Sequence, residues 1–254
     1  MRKLLWLALF LTALSPAAAA GVARDEKDKL VKNTVISEGK KRTYYLFVPE
    51  GVTKEKPAPL LVLLHGSGHN GRLLVEHWQK LAAAEGLVLA GPDARSPEQW
   101  SIPEDGPRFL RDLVEELKTT QPVDPARVYL FGHSAGAVFG LYLTALESEY
   151  FAAVAVSAGA LRDKNFEMLD EAERKVPVAL FVGTKDPLFP LDAVRATRDA
   201  YKQRGFPVEL TEIPNHDHNY YKLSADIDAK AWAFLKGHRL AGEARYKEHN
   251  FRSR

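Results

Sequence analysis

RVYLFGHSAG, residues 127–136, joins an apolar run to a Gly-x-Ser-x-Gly motif. We predict a strand over residues 127–131 and a helix that begins near Ala135 and continues through Leu146. Such a motif between a strand and a helix is the sharp turn that lifts a serine side chain above the edge of a sheet. Its glycines relieve crowding at that turn. Ser134 is therefore the predicted nucleophile, and the alternative is a glycine-rich turn with a capping serine.

On both sides of this segment, short apolar runs alternate with amphipathic ones. Alternation of this kind is typical of an α/β fold, in which helices cover both faces of a mostly parallel sheet. Residues 60–64 are apolar without interruption, as a strand buried on both faces should be. The predicted strands are residues 43–48, 60–64, 87–90, 127–131, 152–157, 178–182 and 208–213, and the other predicted helices are residues 72–85, 192–202, 223–240 and one that starts after Asp105.

The helix after Asp105 is predicted from its first turn and from its apolar face. Asp105 is expected to cap it, and Pro107 is expected to lie in its first turn. One face of this helix is apolar and consists of Phe109, Leu110, Leu113, Val114 and Leu117.

The amino terminus has the pattern of a secretory signal peptide. Arg2 and Lys3 precede an apolar run over residues 4–14, and the small residues 18–20 follow. We therefore predict a signal peptide over residues 1–20, export to the periplasm or the medium, and no stable membrane insertion after cleavage. The apolar run is short for a membrane span, and the alternative is an uncleaved anchor.

Composition narrows the function further. No linker, internal repeat or low-complexity block interrupts residues 21–254, which we predict to form one domain. The chain contains no cysteine, which excludes disulfides, a thiol nucleophile and thiolate metal sites. Without Arg2 and Lys3 it has 33 basic and 33 acidic residues. No basic stripe suggests a nucleic-acid partner, and no pattern requires a cofactor.

The loop after the 60–64 strand is a candidate for half of an oxyanion hole. It reads Leu64-His65-Gly66-Ser67-Gly68. In a hydrolase of this architecture, one oxyanion donor comes from such a loop and the other from the residue after the nucleophile. The predicted donors are therefore the backbone N–H groups of Ser67 and Ala135, with His65 expected to stiffen the loop by hydrogen bonding. A flexible surface turn is the alternative.

Asp186 is the candidate for the acid that orients the base. It lies in Gly183-Thr184-Lys185-Asp186-Pro187, directly after the 178–182 strand. Catalytic side chains of open α/β sheets gather at the carboxyl ends of strands. A simple Asp-Pro turn is the alternative, and Asp163, Asp170 and Asp192 are placed less favourably because none follows a strand.

Two histidines compete for the role of base. His216 and His218 follow the last predicted strand and precede the last helix, where a base for Ser134 must come. A metal site formed by the two histidines is a further alternative, but the segment offers too few ligands for one. We predict no metal.

Trp100 lies in the loop after Pro92-Asp93-Ala94 and is the one substrate-binding residue that we predict. It would line the acyl or the alcohol pocket. The alternative is a buried anchor for that loop.

Taken together, these motifs resemble the α/β-hydrolase superfamily, and within it bacterial esterases of the polyhydroxybutyrate-depolymerase-like, feruloyl-esterase-like and carboxylesterase families. The resemblance covers about residues 43–240. It rests on the loop at residues 64–68, the run from Asp124-Pro125 to Gly136, Gly183-x-x-Asp186 and the histidine segment. It implies the α/β-hydrolase fold and the chain order serine, acid, histidine.

The histidine segment carries a more specific likeness. Asp217-His218-Asn219-Tyr220-Tyr221 resembles the Asp-His-Ser-Tyr-Tyr stretch of esterase D-like S-formylglutathione hydrolases. In that pattern the base precedes the polar residue and the paired tyrosines, which implies His218. Dienelactone hydrolases use a cysteine nucleophile, and the absence of cysteine excludes their chemistry here.

The sequence therefore predicts a serine carboxylesterase that forms an acyl-enzyme on a Ser134–Asp186–His218 triad. Two alternatives stay open. One is a peptidase or thioesterase on the same triad, and the other is a non-catalytic binding protein of the same fold.

Overall fold

The structure is a computed structural model that describes residues 29–249 and residue 251, and it is built around an eight-stranded sheet. The strands are β1 Val31–Ser37, β2 Lys40–Phe47, β3 Ala58–Leu64, β4 Val88–Pro92, β5 Val123–His133, β6 Ala153–Ser157, β7 Val178–Gly183 and β8 Val208–Ile213. Their order in the sheet is β1-β2-β4-β3-β5-β6-β7-β8. β2 is antiparallel to β1 and to β4, and all other neighbours are parallel. The predicted α/β class, with a mostly parallel sheet, is confirmed.

Helices cover both faces of the sheet. They are α1 Gly71–Glu85, α2 Arg108–Thr120, α3 Ala135–Leu146, α4 Leu191–Gln203 and α5 Ser224–Leu235, with 3₁₀ helices at Asp163–Glu171 and Tyr220–Lys222. Apolar residues of α2, α3 and α4 form one core with one face of the sheet, and residues of α1 and α5 form a second core with the other face. Every residue of β3 is buried, and its side chains alternate between the two cores. This burial explains why the strand is apolar throughout.

Several predicted elements need correction. The last helix ends at Leu235 rather than at residue 240, because the chain turns at Gly237 and the Leu240 N–H then bonds to the carbonyl of Ala126. Strand β1 was not predicted, since it is a half-exposed edge strand that begins inside a charged segment. The turn after it, at Glu38-Gly39, has positive φ at both residues, as a tight hairpin requires.

Asp105 does not cap helix α2, which is a second correction. Pro107 occupies the cap position, and no side chain bonds to the first turn of the helix. The apolar face of α2 is as predicted, because all five of its members are buried. Asp105 instead turns its carboxylate away from α2, towards Arg42 of β2.

The parallel strands bring the functional motifs to one edge of the sheet. The loop that contains Ser67 follows β3, Ser134 directly follows β5, Asp186 follows β7 and His218 follows β8. Within residues 29–249, no helix combines the length and the apolar character that crossing a bilayer requires. The predicted signal peptide lies outside the described residues.

Candidate active site

Ser134 occupies a strained turn between β5 and α3. Its backbone has φ 54° and ψ −116°, a conformation that costs energy for a residue with a Cβ. The flanking glycines make the turn possible by close contact. A Cβ on Gly132 would lie 2.3 Å from the carbonyl oxygen of Gly136, and one on Gly136 would lie 2.0 Å from that of Leu64. Strand, turn and helix thus aim the serine hydroxyl out of the sheet edge.

His218 connects Ser134 to Asp186. Its Nε2 lies 2.9 Å from Ser134 Oγ, and its Nδ1 lies 2.9 Å from Asp186 Oδ2. The Asp186 side chain is fully buried, whereas the His218 side chain is 21% exposed. A carboxylate can only accept, so Nδ1 carries the proton and Nε2 is free to accept the proton of the serine hydroxyl.

The other histidine of the segment takes no part in this arrangement. His216 is buried, and its carbonyl accepts a hydrogen bond from the Lys185 N–H at 2.9 Å. Its ring has no hydrogen-bond partner within the described chain. Of the other aspartates considered, Asp170 pairs with Arg204 at 2.8 Å and Asp192 lies 3.5 Å from Arg195, both away from Ser134. Across the described residues, no three His, Cys, Asp or Glu side chains are grouped as a metal site would need.

Ser67 and Ala135 both line one cavity, and Ala135 directly follows the serine. Neither backbone N–H donates to another backbone carbonyl in the part of the chain that the structure describes. Ala135 is the first residue of α3, where N–H groups are free and negative charge is favoured. Two such donors facing one cavity can bind an oxyanion.

The loop that carries Ser67 is stiffened by His65. This ring is buried, its Nε2 accepts from the Ala94 N–H at 3.1 Å, and its Nδ1 donates to the Gly66 carbonyl at 2.9 Å. Burial lowers the pKa of His65, so the ring stays neutral and keeps both bonds. His65 therefore holds the loop and does not face the serine as a base.

The cavity that Ser67 and Ala135 line has a volume of about 520 Å³. Its walls are mostly apolar and are formed by Ser67, Glu98, Gln99, Trp100, Ile102, Ala135, Val138, Phe139 and Tyr142. Trp100 stacks on Phe139 with ring centroids 5.1 Å apart, and its indole N–H donates to the His65 carbonyl at 2.8 Å. Trp100 therefore lines the cavity and also anchors its own loop.

Two aromatic rings enclose the ring of His218. Phe189 stacks on one side at 5.7 Å between centroids, and His133 lies on another at 5.3 Å. Burial and the neighbouring His218 lower the pKa of His133 to about 3, so this ring is neutral at any pH at which the protein would work. The two rings restrict rotation of the imidazole.

Sequence reasoning missed most of the cavity wall, although a signal for it exists. Ala135, Val138, Phe139 and Tyr142 follow the i, i+3, i+4, i+7 pattern of one helix face, beginning at the residue after the serine. That stripe could have predicted a helical wall beside the oxyanion site. Phe189 and Ile102 lie in loops and carry no comparable signal.

The chain matches one protein family and is similar to proteins named as esterases. The profile of the dienelactone hydrolase family matches residues 94–240. NocK of Nocardia uniformis subsp. tsuyamanensis, an esterase by name, is 32% identical over 172 residues, which are 63% of this chain and 49% of NocK. The bifunctional acetylxylan esterase/xylanase XynS20E of Neocallimastix patriciarum is 25% identical over 180 residues, 69% of this chain and 26% of that enzyme. The chain thus spans half or less of these relatives.

A solved structure shows the same fold. FphF, a fluorophosphonate-binding serine hydrolase of Staphylococcus aureus, superposes with a TM-score of 0.69 at 14% identity, over 82% of this chain and 98% of that one.

Proposed function

Because the chain belongs to the dienelactone hydrolase family, we propose that it hydrolyses carboxylic esters through an acyl-enzyme formed on Ser134. The observation that carries this proposal is the position of His218, which lies 2.9 Å from both Ser134 Oγ and Asp186 Oδ2. The chain has no cysteine, so the proposed nucleophile is a serine hydroxyl rather than a thiol.

The reaction follows from the two bonds of the imidazole. His218 Nε2 takes the proton of Ser134 as Oγ attacks the ester carbonyl, and Asp186 stabilises the imidazolium that forms. The N–H groups of Ser67 and Ala135 bind the oxyanion of the tetrahedral intermediate, where loss of one donor typically lowers kcat by about 10²- to 10³-fold. His218 protonates the leaving alcohol and then activates the water that releases the acid.

The cavity beside the oxyanion donors holds the acyl part of the ester in this proposal. The leaving oxygen must lie near His218 Nε2 to receive its proton, so the acyl group extends away from His218. The acyl group is assigned to the cavity lined by Ser67 and Ala135 because His218 is not among the residues that line it. Its apolar wall and volume of about 520 Å³ favour acyl groups larger than acetyl. The named activities of the relatives also concern esters.

The proposal includes export. Residues 1–20 have the charge, apolar run and small-residue ending of a signal peptide, and residues 21–254 would be the mature single-domain esterase. Amino-terminal sequencing of the protein from the culture medium and from the periplasm tests this part on its own.

The esterase proposal is tested with purified protein and p-nitrophenyl esters of two to eight acyl carbons. Wild type should hydrolyse them, and Ser134→Ala should lose activity by at least about 10³-fold. A fluorophosphonate probe should label wild type and not Ser134→Ala. Equal ester hydrolysis by wild type and Ser134→Ala would contradict the proposal.

A further inference from the structure

The buried ion pair between Arg42 and Asp105 lies outside the triad but is connected to the oxyanion loop. The Asp105 side chain is fully buried, and Arg42 is 11% exposed. Their closest atoms, Arg42 Nη2 and Asp105 Oδ1, are 2.6 Å apart. Breaking a buried pair leaves an uncompensated charge, so such a pair resists movement once it has formed. Arg42 comes from β2 in the sheet, whereas Asp105 ends a long loop.

Asp105 organises the loop at residues 93–105. Its carboxylate accepts from the backbone N–H of Arg95 at 2.7 Å, from the N–H of Ser101 at 2.9 Å and from the hydroxyl of Ser101 at 3.1 Å. Arg42 completes the arrangement because it also donates to the carbonyls of Glu104 at 2.6 Å and Asp93 at 3.2 Å. The pair thus ties both ends and the middle of this loop to the rigid sheet.

The loop at residues 93–105 forms hydrogen bonds with the oxyanion loop, residues 64–68, at three points. The Ala94 N–H donates to His65 Nε2 at 3.1 Å, the Trp100 indole N–H donates to the His65 carbonyl at 2.8 Å, and the Gly68 N–H donates to the Pro97 carbonyl at 2.9 Å. The bonded residues, His65 and Gly68, precede and follow Ser67 in the chain. Ser67 itself is exposed, so these bonds fix the position of its backbone N–H.

We infer that Arg42 and Asp105 are positioning residues for the oxyanion hole, acting on the Ser67 N–H through the loop at residues 93–105. This inference rests on the proposed function. Its physical basis is that a donor misplaced by about 1 Å can cost about 100-fold in rate even when the mutation is remote. An oxyanion donor acts on the tetrahedral state, so its displacement should weaken binding of that state and leave ground-state binding unchanged.

The test separates these two kinds of binding. A trifluoromethyl ketone forms a tetrahedral adduct with Ser134, in which Oγ bonds to the carbonyl carbon, the serine proton passes to His218 and the oxygen becomes an oxyanion. The carboxamide of the same acyl group, which is neutral and trigonal, measures ground-state binding as a competitive inhibitor. In Asp105→Asn, kcat/KM for p-nitrophenyl acetate and affinity for the ketone should fall by the same factor, about tenfold or more, while the inhibition constant of the carboxamide changes less than about twofold.

A matched control changes a buried carboxyl group far from the site. Glu147 directly follows α3, about 20 Å from Ser134 along the axis of that helix, and its Oε1 lies 2.8 Å from His249 Nε2. Glu147→Gln should change the melting temperature and leave kcat/KM and ketone affinity unchanged. If Asp105→Asn behaves like Glu147→Gln, the inference is overturned.

Milder variants keep the test decisive if Asp105→Asn does not fold. Arg42→Lys keeps the charge and loses the fork of donors, and Ser101→Ala removes one bond to Asp105. Each variant should lower kcat/KM and ketone affinity by the same factor. If Arg42→Lys and Ser101→Ala both keep the wild-type kcat/KM and ketone affinity, the inference is overturned. The proposed function fails separately, if Ser134→Ala stays active. A dead Ser134→Ala with a fully active Asp105→Asn contradicts only the positioning role.

Discussion

Asp186 binds the ring of His218 with one carboxylate oxygen and its own loop with the other. Oδ2 lies 2.9 Å from His218 Nδ1, while Oδ1 accepts from the backbone N–H groups of Leu188 and Phe189, each at 2.9 Å. The carboxylate therefore cannot rotate without breaking bonds on both sides. Because Phe189 also stacks on the His218 ring, one loop fixes both the direction and the plane of the imidazole.

The first prediction concerns this orientation. Asp186→Asn keeps the size of the side chain but can present an N–H to Nδ1, which favours the wrong tautomer of His218. In serine proteases the equivalent change lowers kcat about 10⁴-fold. We expect kcat for p-nitrophenyl butyrate to fall at least about 10³-fold with a small change in KM. A loss below about tenfold would show that Asp186 only caps its loop.

The second prediction distinguishes the two histidines. His218→Ala should abolish measurable turnover, because the ring that contacts Ser134 Oγ is lost. His216→Ala should keep kcat within about fivefold, since His216 is hydrogen-bonded through its backbone N–H and carbonyl, which the substitution retains. Steady-state kinetics of the two variants checks this. An active His218→Ala together with an inactive His216→Ala would reverse our assignment.

The third prediction concerns the acyl cavity. Trp100→Ala removes the ring that stacks on Phe139 and the N–H that bonds to the His65 carbonyl. Loss of the wall should penalise p-nitrophenyl octanoate more than the acetate, by at least about tenfold in kcat/KM, because the longer chain loses more apolar contact. Phe139→Leu, which keeps an apolar wall, is the matched control and should change the ratio less. An unchanged ratio in Trp100→Ala would place the acyl group elsewhere.

The central strands of the sheet could be predicted because burial on both faces makes a strand apolar throughout, as in β3. The turn at Ser134 could be predicted because its Gly-x-Ser-x-Gly motif lies between such a strand and a helix. Strand β1 escaped prediction because it is a half-exposed edge strand whose apolar residues are interrupted by the polar run Lys32-Asn33-Thr34. Asp105 was mistaken for a helix cap because its partner Arg42 lies 63 residues away in sequence. Local pattern favours a cap at such a position, and only the tertiary structure reveals the ion pair.

The candidate site also contains some residues that the sequence could predict and others that it could not. Ser134, Asp186 and His218 each follow a strand, and the carboxyl ends of parallel strands meet at one edge, so their proximity could be expected from chain order. The choice between His216 and His218 needed a family resemblance, since both follow the same strand. The contacts of Phe189 and of the 93–105 loop depend on loop conformations, for which the sequence has no periodic signal.

The fourth prediction concerns stability and pH. Burial raises the pKa of Asp228 to about 8, although the Tyr220 hydroxyl donates to its Oδ1 at 2.5 Å and opposes that rise. The ordinary pKa of an aspartate is about 3.9. Between these two values the folded state holds a proton that the unfolded state releases, so the free energy of unfolding falls as the pH rises. This stability is fully present below pH about 4 and is lost as the pH rises through about 8.

Asp228→Asn cannot ionise and should escape this loss. The melting temperature of Asp228→Asn minus that of wild type should therefore increase by at least about 3 °C from pH 5 to pH 9. A free-energy difference of 1 kcal/mol corresponds to about 2–4 °C for a chain of this size. Burial also raises the pKa of Glu147 to about 8, so Glu147 makes the melting temperature fall with pH in the same way. Part of the pH dependence should therefore persist in Asp228→Asn and become smaller still when Glu147→Gln is added. Thermal melts at five pH values measure both slopes. Melting temperatures of wild type and Asp228→Asn that change with pH in parallel would contradict this prediction. Asp228 would then already be ionised in the folded protein and would need a partner for Oδ2. Among the described residues, Oδ2 has no hydrogen-bond partner.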